Sequence, residues 1–196
     1  MDEGAVSRQR IVEGIEASAH TIQSLTEQAG RVATVCVAVV AALTKGHKVL
    51  TAGNGGSAAE ALHMAEELVG RFRGNRVSLP AVSLAADPTA LTCIGNDFGF
   101  DHVFSRQVEG LGRAGDVLVL FSTSGRAANL SLALAAAKRA GMISVGLLGR
   151  DGGPLAGQAD YEIIVPGTAT ERIQEAHQVI IHLILDAVEL AFGGSA

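Results

Sequence analysis

The chain has 196 residues, 48% of them hydrophobic and 18% charged, with 24 glycines, no tryptophan and a formal net charge of -5. That length holds one domain with one sizeable core, and that composition excludes a disordered or fibrous chain. The 15 Lys and Arg are outnumbered by 20 Asp and Glu and form no cluster beyond Arg71, Arg73 and Arg76, so nucleic acid is not an expected partner.

The first ten residues, MDEGAVSRQR, contain no apolar segment of the signal-peptide kind, and a cytoplasmic location is expected. The longest apolar stretch, 32–43, is broken by Thr34 and flanked by Arg31 and Lys45. It is too short to span a bilayer, so no membrane association is expected. Apolar residues recur at steps of three and four through Ile22, Leu25, Ala29, Val32, Cys36, Val39 and Leu43, which predicts helix over about 5–44, with room for a division into two helices near Gly30. Cys36 and Cys93 both sit in apolar, helix-like surroundings and are expected to be buried thiols.

From about 45 to 170, short apolar runs alternate with helical stretches. This is the pattern of βαβ units, so the fold class is α/β, a parallel β-sheet flanked by helices, with long helices at both termini of a single domain spanning 1–196. Strands are expected at 48–52, 80–84, 117–121, 143–148 and 161–165. Helices are expected at 57–69, 87–94, 101–109, 127–140 and 171–191, the last carrying an apolar stripe through Ile173, His177, Ile180, Ile184 and Val188. Both terminal helices could pack on another helix or another subunit.

In such sheets ligands bind beyond the carboxyl ends of the strands. Two loops there are rich in small polar residues. Gly53-Asn54-Gly55-Gly56-Ser57 joins a strand to a helix, where glycines let the backbone approach an anion and the helix amino end attracts it. The same residues read as a turn and a helix cap, with Ser57 and Glu60 at capping-box spacing. Ser122, Thr123 and Ser124 follow the third strand and can cradle a phosphate with hydroxyls rather than charge, although such runs also mark ordinary turns. A third loop, Arg150-Asp151-Gly152-Gly153-Pro154, reads as a plain turn, and Gly95-Asn96-Asp97-Phe98-Gly99-Phe100 reads as a loop whose Asn and Asp can bind sugar hydroxyls or serve structure alone.

Two helices carry polar residues that suit chemistry. His63 and Glu67 are four apart and share one face, a spacing that chelates a metal or sits as a solvated pair. Gln174 and His182 are eight apart on the last helix, with His182 inside the apolar run 179–185. His20, His47 and His102 have polar settings and are expected at the surface, while His177 fits either a core or a site position.

Taken together, AGNGGSAAEALHMAEELVGRF, IGNDFGFDHVFSRQVEGLG, GDVLVLFSTSG and ERIQEAHQVIIH resemble the phosphoheptose isomerases of the sugar isomerase (SIS) domain superfamily, in the family's order and over about 10–192. The resemblance implies a homotetramer that isomerises sedoheptulose 7-phosphate to D-glycero-D-manno-heptose 7-phosphate through an enediol, the first step toward activated heptose for surface polysaccharide. It implies one zinc per subunit on His63, Glu67, Gln174 and His182, with Glu67 as the base and His182 its partner. Asn54, Gly55, Gly56, Ser57, Ser122, Thr123 and Ser124 would surround the phosphate or sugar, and Asn96, Asp97, Glu67 and Gln174 would contact substrate. Two departures stand out: Gly125-Arg126-Ala127 replaces the family's usual Gly-Asn-Ser, and Glu60 replaces its more common Asp. The alternatives are the non-catalytic replication-initiator-associating relative, which lacks the equivalents of Glu67 and His182, a sugar-phosphate-binding regulator, and an isomerase of another sugar phosphate.

Overall fold

The computed structural model describes residues 7–193, and the expectations for 1–6 and 194–196 lie outside the described residues. Five parallel strands, β1 (Val49–Gly53), β2 (Ala81–Ser83), β3 (Val117–Ser122), β4 (Ile143–Gly149) and β5 (Tyr161–Val165), form one sheet in the order β2-β1-β3-β4-β5. Seven α-helices surround it: α1 (Arg8–Gln23), α2 (Ala29–Thr44), α3 (Gly56–Val69), α4 (Pro88–Phe98), α5 (Ser105–Leu111), α6 (Ala128–Arg139) and α7 (Thr170–Phe192). Every expected strand is present within two residues of its bounds.

The central strands are apolar throughout because both sheet faces are covered. Along β3, Val117, Val119 and Phe121 face a core shared with α2, α3 and α7, while Leu118 and Leu120 face a second core shared with α5 and α6. In the first core Val32, Val35, Val39, Ala42 and Leu43 of α2 meet Ile173, Ile180, Ile181 and Ile184 of α7. The helical run Arg8–Thr44 as a whole is long and apolar enough to cross a membrane by length and composition, yet this burial gives α2 the position of a core helix. A 3-10 turn, Ser24–Gln28, joins α1 to α2, so the break falls just before Gly30.

Four local expectations are corrected. Helix α3 begins at Gly56 with Gly55 as its cap at φ 57, and no side chain caps it, so the Ser57–Glu60 capping box does not form. The positive φ that only glycine takes readily puts the helix start one residue early. Asn96 and Asp97 lie in the last turn of α4 rather than in a loop, because Asp87 caps that helix on Thr89 and Ala90 and the helix runs on until Gly99, at φ 86, ends it. Cys93 is exposed and Cys36 half-buried: α4 turns Leu91 and Ile94 toward the second core, and Cys93 falls off that side. The stretch 101–109 splits into a 3-10 turn, Phe100–His102, and α5.

At the amino ends of the strands, the buried Asp116 accepts from the backbone N–H of Lys48 at 3.0 Å and of Arg113 at 2.8 Å, and pairs with the Lys48 ammonium. Burial pushes the carboxyl up, but the Lys48 and Arg113 contacts outweigh it and hold it below its ordinary 3.8. A depressed folded value means that the stabilisation is complete above the unfolded value and is lost as pH falls through the folded one. Asp116→Asn is therefore expected to cost about 2 kcal/mol at pH 7. In urea titrations the gap from wild type should close as the pH is taken below 3.8. A gap of equal size at pH 7 and at low pH would contradict the role given to the ionised carboxylate.

Candidate active site

The strand order reverses between β1 and β3, and in open parallel sheets ligands settle at such a switch point, outside the carboxyl ends of the strands. The two small-residue loops lie there, one after each strand. The first is tied to the opening turn of α6, which follows the second, by a reciprocal pair: Asn54 Nδ2 donates to Asn129 Oδ1 at 3.0 Å, and Asn129 Nδ2 donates to Asn54 Oδ1 at 2.9 Å. Asn54 Oδ1 and Nδ2 are thus both engaged within the fold. Ser57 is buried at the second residue of α3, and its N–H bonds the Asn54 carbonyl at 3.0 Å. In the second loop the Ser122 hydroxyl accepts from the Gly125 N–H at 2.9 Å, which leaves it only its own proton to give, while Thr123 and Ser124 are half-buried.

The third loop, expected as a plain turn, braces the second. Gly125 sits at φ 61, and a β-carbon there would lie 1.8 Å from the Gly152 carbonyl oxygen. Arg150 is left-handed at φ 61, and Asp151 pairs with the Arg126 guanidinium at 2.9 Å, both side chains well exposed. In this structure the guanidinium of Arg126 thus has a carboxylate beside it in solvent. The Gly153 N–H, with lesser help from Arg126, holds the Asp151 carboxyl below its usual range.

A polar stripe leads away from the loops along the packing of α3 on α7. Its first rung is Gly56 against Gln174, where a β-carbon on Gly56 would lie 2.3 Å from Gln174 Nε2. The second is Glu60 with His177, both buried. His177 Nε2 donates to the Leu148 carbonyl at 3.2 Å, and its Nδ1 stands 3.8 Å from Glu60 Oε2. Of its two possible positions, His177 therefore takes the core.

The third rung holds the titratable cluster. His63 Nε2 lies 3.2 Å from Glu67 Oε1, and the ligand atoms of His63, Glu67 and His182 all fall within 4.8 Å of one another. Glu67 Oε2 is buried with no hydrogen-bond partner among the described residues. Two imidazoles and a carboxylate with an orphaned oxygen make a donor set that fits a divalent metal of the zinc type. Gln178, and not Gln174, reaches the cluster in this structure: its Nε2 lies 2.8 Å from His63 Nδ1 and 3.0 Å from His182 Nε2.

Residues to which the sequence assigns no role in the site hold this cluster in place. Phe72 stacks on the His182 ring at 5.6 Å between centroids, with the Arg73 guanidinium over its other side. The side chain of Arg76 is fully buried and donates to the carbonyls of Glu67 and Leu68 and to Glu189 of α7, closing the turn of α3 that bears Glu67. Nothing in their spacing marks Phe72 or Arg76, although both lie within ten residues of Glu67. Asn96 and Asp97 are exposed on α4, where Asn96 Nδ2 donates to Asp97 Oδ1 at 2.7 Å and the Cys93 sulfur is 3.7 Å from Asp97 Oδ2. Among the described residues, their side-chain hydrogen bonds stay within α4.

The sequence pattern of the SIS domain matches residues 15–149. A phosphoheptose isomerase of Geobacter metallireducens is 55% identical over 159 residues, covering 81% of this chain and 84% of that protein. One from Geotalea daltonii is 46% identical over 184 residues, covering 91% and 96%. The structure of the Neisseria gonorrhoeae phosphoheptose isomerase superimposes with a TM-score of 0.88 at 41% identity, covering 93% of this chain and 98% of that one.

The packing at the loops gives a contrast between two glycines. Gly125→Ala would strain the left-handed backbone and drive a β-carbon into a main-chain carbonyl, costing about 3 kcal/mol. In differential scanning calorimetry its thermal midpoint is expected to fall by roughly 5–10 °C. Gly56→Ala meets only the end of the Gln174 side chain, which can swing aside. Its midpoint should stay near wild type, and equal losses in the two variants would refute the bracing role of the third loop.

Proposed function

The chain belongs to the SIS domain family and, within it, to the phosphoheptose isomerases, and we propose that it converts sedoheptulose 7-phosphate to D-glycero-D-manno-heptose 7-phosphate in the cytoplasm, as the first step toward an activated heptose. The observation that carries the reading is the convergence of His63, Glu67 and His182 within 4.8 Å at the foot of the stripe that starts at the phosphate-type loops.

The loop residues Gly55, Gly56, Ser57, Thr123 and Ser124 would receive the phosphate through N–H and hydroxyl groups, with Asn54 and Ser122 shaping the loops they bond. Aldose–ketose interconversion moves a proton between neighbouring carbons through an enediol, which calls for a base that can also return it. Glu67 suits that role, because its Oε2 is buried without a hydrogen-bond partner among the described residues, which leaves Oε1, beside His63, for the metal. The ionised carboxylate takes a proton from carbon 1 of the ketose and gives it back at carbon 2, and His182 moves the proton between the two oxygens. His63, Glu67 and His182, with Gln174 as an amide ligand, would hold one zinc, which supplies positive charge beside the developing oxyanion. Asn96 and Asp97 would contact the sugar.

A homotetramer is part of the proposal. Ile22, Leu25, Ala29, Val32 and Cys36 line an apolar groove with Val179 and Leu183 of α7, and Ile11, Ile15 and Val37 are exposed nearby. Light scattering at micromolar concentration should give four times the chain mass, and a monomer would remove this part of the reading.

Glu67→Gln keeps the shape of the side chain and removes the base, so turnover of sedoheptulose 7-phosphate should fall by roughly 100- to 10,000-fold. Mass spectrometry would follow both product and the uptake of solvent deuterium at the isomerising carbons. A variant that exchanges and isomerises at a rate comparable to wild type would sink the mechanism.

A further inference from the structure

Gln178 places one amide nitrogen at the point where two imidazoles of the cluster meet. It lies 2.8 Å from His63 Nδ1 and 3.0 Å from His182 Nε2. The nitrogen of an amide is an NH2 group and only donates, so the ring atoms that face it, His63 Nδ1 and His182 Nε2, both present lone pairs. The NH2 has two hydrogens, one for each ring. On its opposite edge, His63 Nε2 lies 3.2 Å from Glu67 Oε1.

From this geometry we infer that Gln178 is a built-in stand-in for the metal: it holds His63 and His182 with their lone pairs convergent while no ion is bound, and it competes with the ion for them. The inference rests on the reading of His63, Glu67 and His182 as a metal site. The amide nitrogen stands 2.8 and 3.0 Å from the two ring nitrogens, whereas a zinc–nitrogen bond is about 2.0–2.1 Å. An ion held by His63 Nδ1 and His182 Nε2 cannot share the space with the amide nitrogen, so its binding there breaks at least one of the two hydrogen bonds. Gln174 lies one turn earlier on α7 with its amide against Gly56, off both rings. The two glutamines of one helix are therefore assigned opposite effects, Gln174 toward holding the ion and Gln178 toward excluding it.

The test is zinc titration of the full chain in competition with a chromophoric chelator, for wild type, Gln178→Met, Gln178→Leu and Gln174→Met. Loss of two hydrogen bonds to the rings should make both Gln178 variants bind zinc roughly ten-fold or more tightly than wild type, while Gln174→Met binds more weakly. The metal-free proteins provide a separate readout. In long-range nitrogen–proton NMR spectra, wild type should show His63 as the Nε2–H tautomer and His182 as the Nδ1–H tautomer, and the Gln178 variants should show exchange between tautomers. Folded Gln178 variants whose zinc affinity is equal to or weaker than that of wild type would overturn the inference and leave the metal site standing. Absence of measurable zinc binding in wild type and all three variants would overturn the metal site itself, and the stand-in with it.

Discussion

The structure turns on the packing of α3 against α7. Contacts rise together along the two helices, from Gly56 with Gln174, through Glu60 with His177, to His63 with Gln178 and His182, so the helices run side by side in the same direction. Both follow strands of a parallel sheet, which fixes that direction and brings their amino ends to the edge where ligands gather. The apolar residues around the stripe, Ala61, Met64 and Leu68 of α3 with Ile173, Ile180 and Ile181 of α7, are buried in one core. The middle rung of the stripe, Glu60 with His177, is buried in that core and stands in a low dielectric, where unpaired groups are costly and paired ones strong, whereas the rungs on either side are partly open to solvent. All four buried side-chain atoms without partners among the described residues, on Glu60, Glu67 and His177, belong to this seam. Of the four, the Glu67 atom belongs to the titratable cluster, whereas Glu60 Oε2 and His177 Nδ1 face one another at 3.8 Å within the core.

The loops at the head of the seam solve a different problem. Loops proposed to take an anion on backbone N–H groups and hydroxyls need no buried cation, but they must hold their shape when empty. Here the rigidity comes from neighbours distant in sequence: Asn54 with Asn129 across the switch point, and Gly125 wedged beneath Gly152. Arg126 changes the charge near this edge and pairs with Asp151 in solvent.

Much of this is legible in the residues because the governing signals are local. Alternating apolar runs mark the strands, and the four-residue step from His63 to Glu67 puts both side chains on one face of α3. What escapes depends on contacts the chain order does not display. Asn129 acquires its role from a partner 75 positions away, Gln178 from the facing helix, and Phe72 and Arg76 from the chain turning back beneath α3. On α7 the choice between Gln174 and Gln178 is a matter of one helical turn, and both lie within reach of a helix that the sequence alone cannot align. The capping box fails for a related reason: Ser57 and Glu60 have the right spacing, but the left-handed Gly55 starts the helix before Ser57 can cap it. Cys93 is misplaced because an apolar neighbourhood in sequence does not say which side of a surface helix a residue falls on.

Helix α3 also sets a scale for the ligand. Ser57 at the phosphate-type loop and His63 at the cluster are six residues apart, about 9 Å of helical rise. Side chains on a helix lean toward its amino end, so His63 and Glu67 reach back along α3 toward the loop. Under the proposed function, a sugar phosphate with its phosphate at one end and its reacting carbons at the other suits this spacing, because the helix would hold the proposed anion cradle and the proposed base at a fixed separation. The second glutamine of α7 acts at the other end of that span and at an earlier moment. Before an ion enters, its amide keeps the His63 and His182 rings turned toward one point, so an ion that displaces it meets both lone pairs already convergent and little ring reorientation accompanies loading.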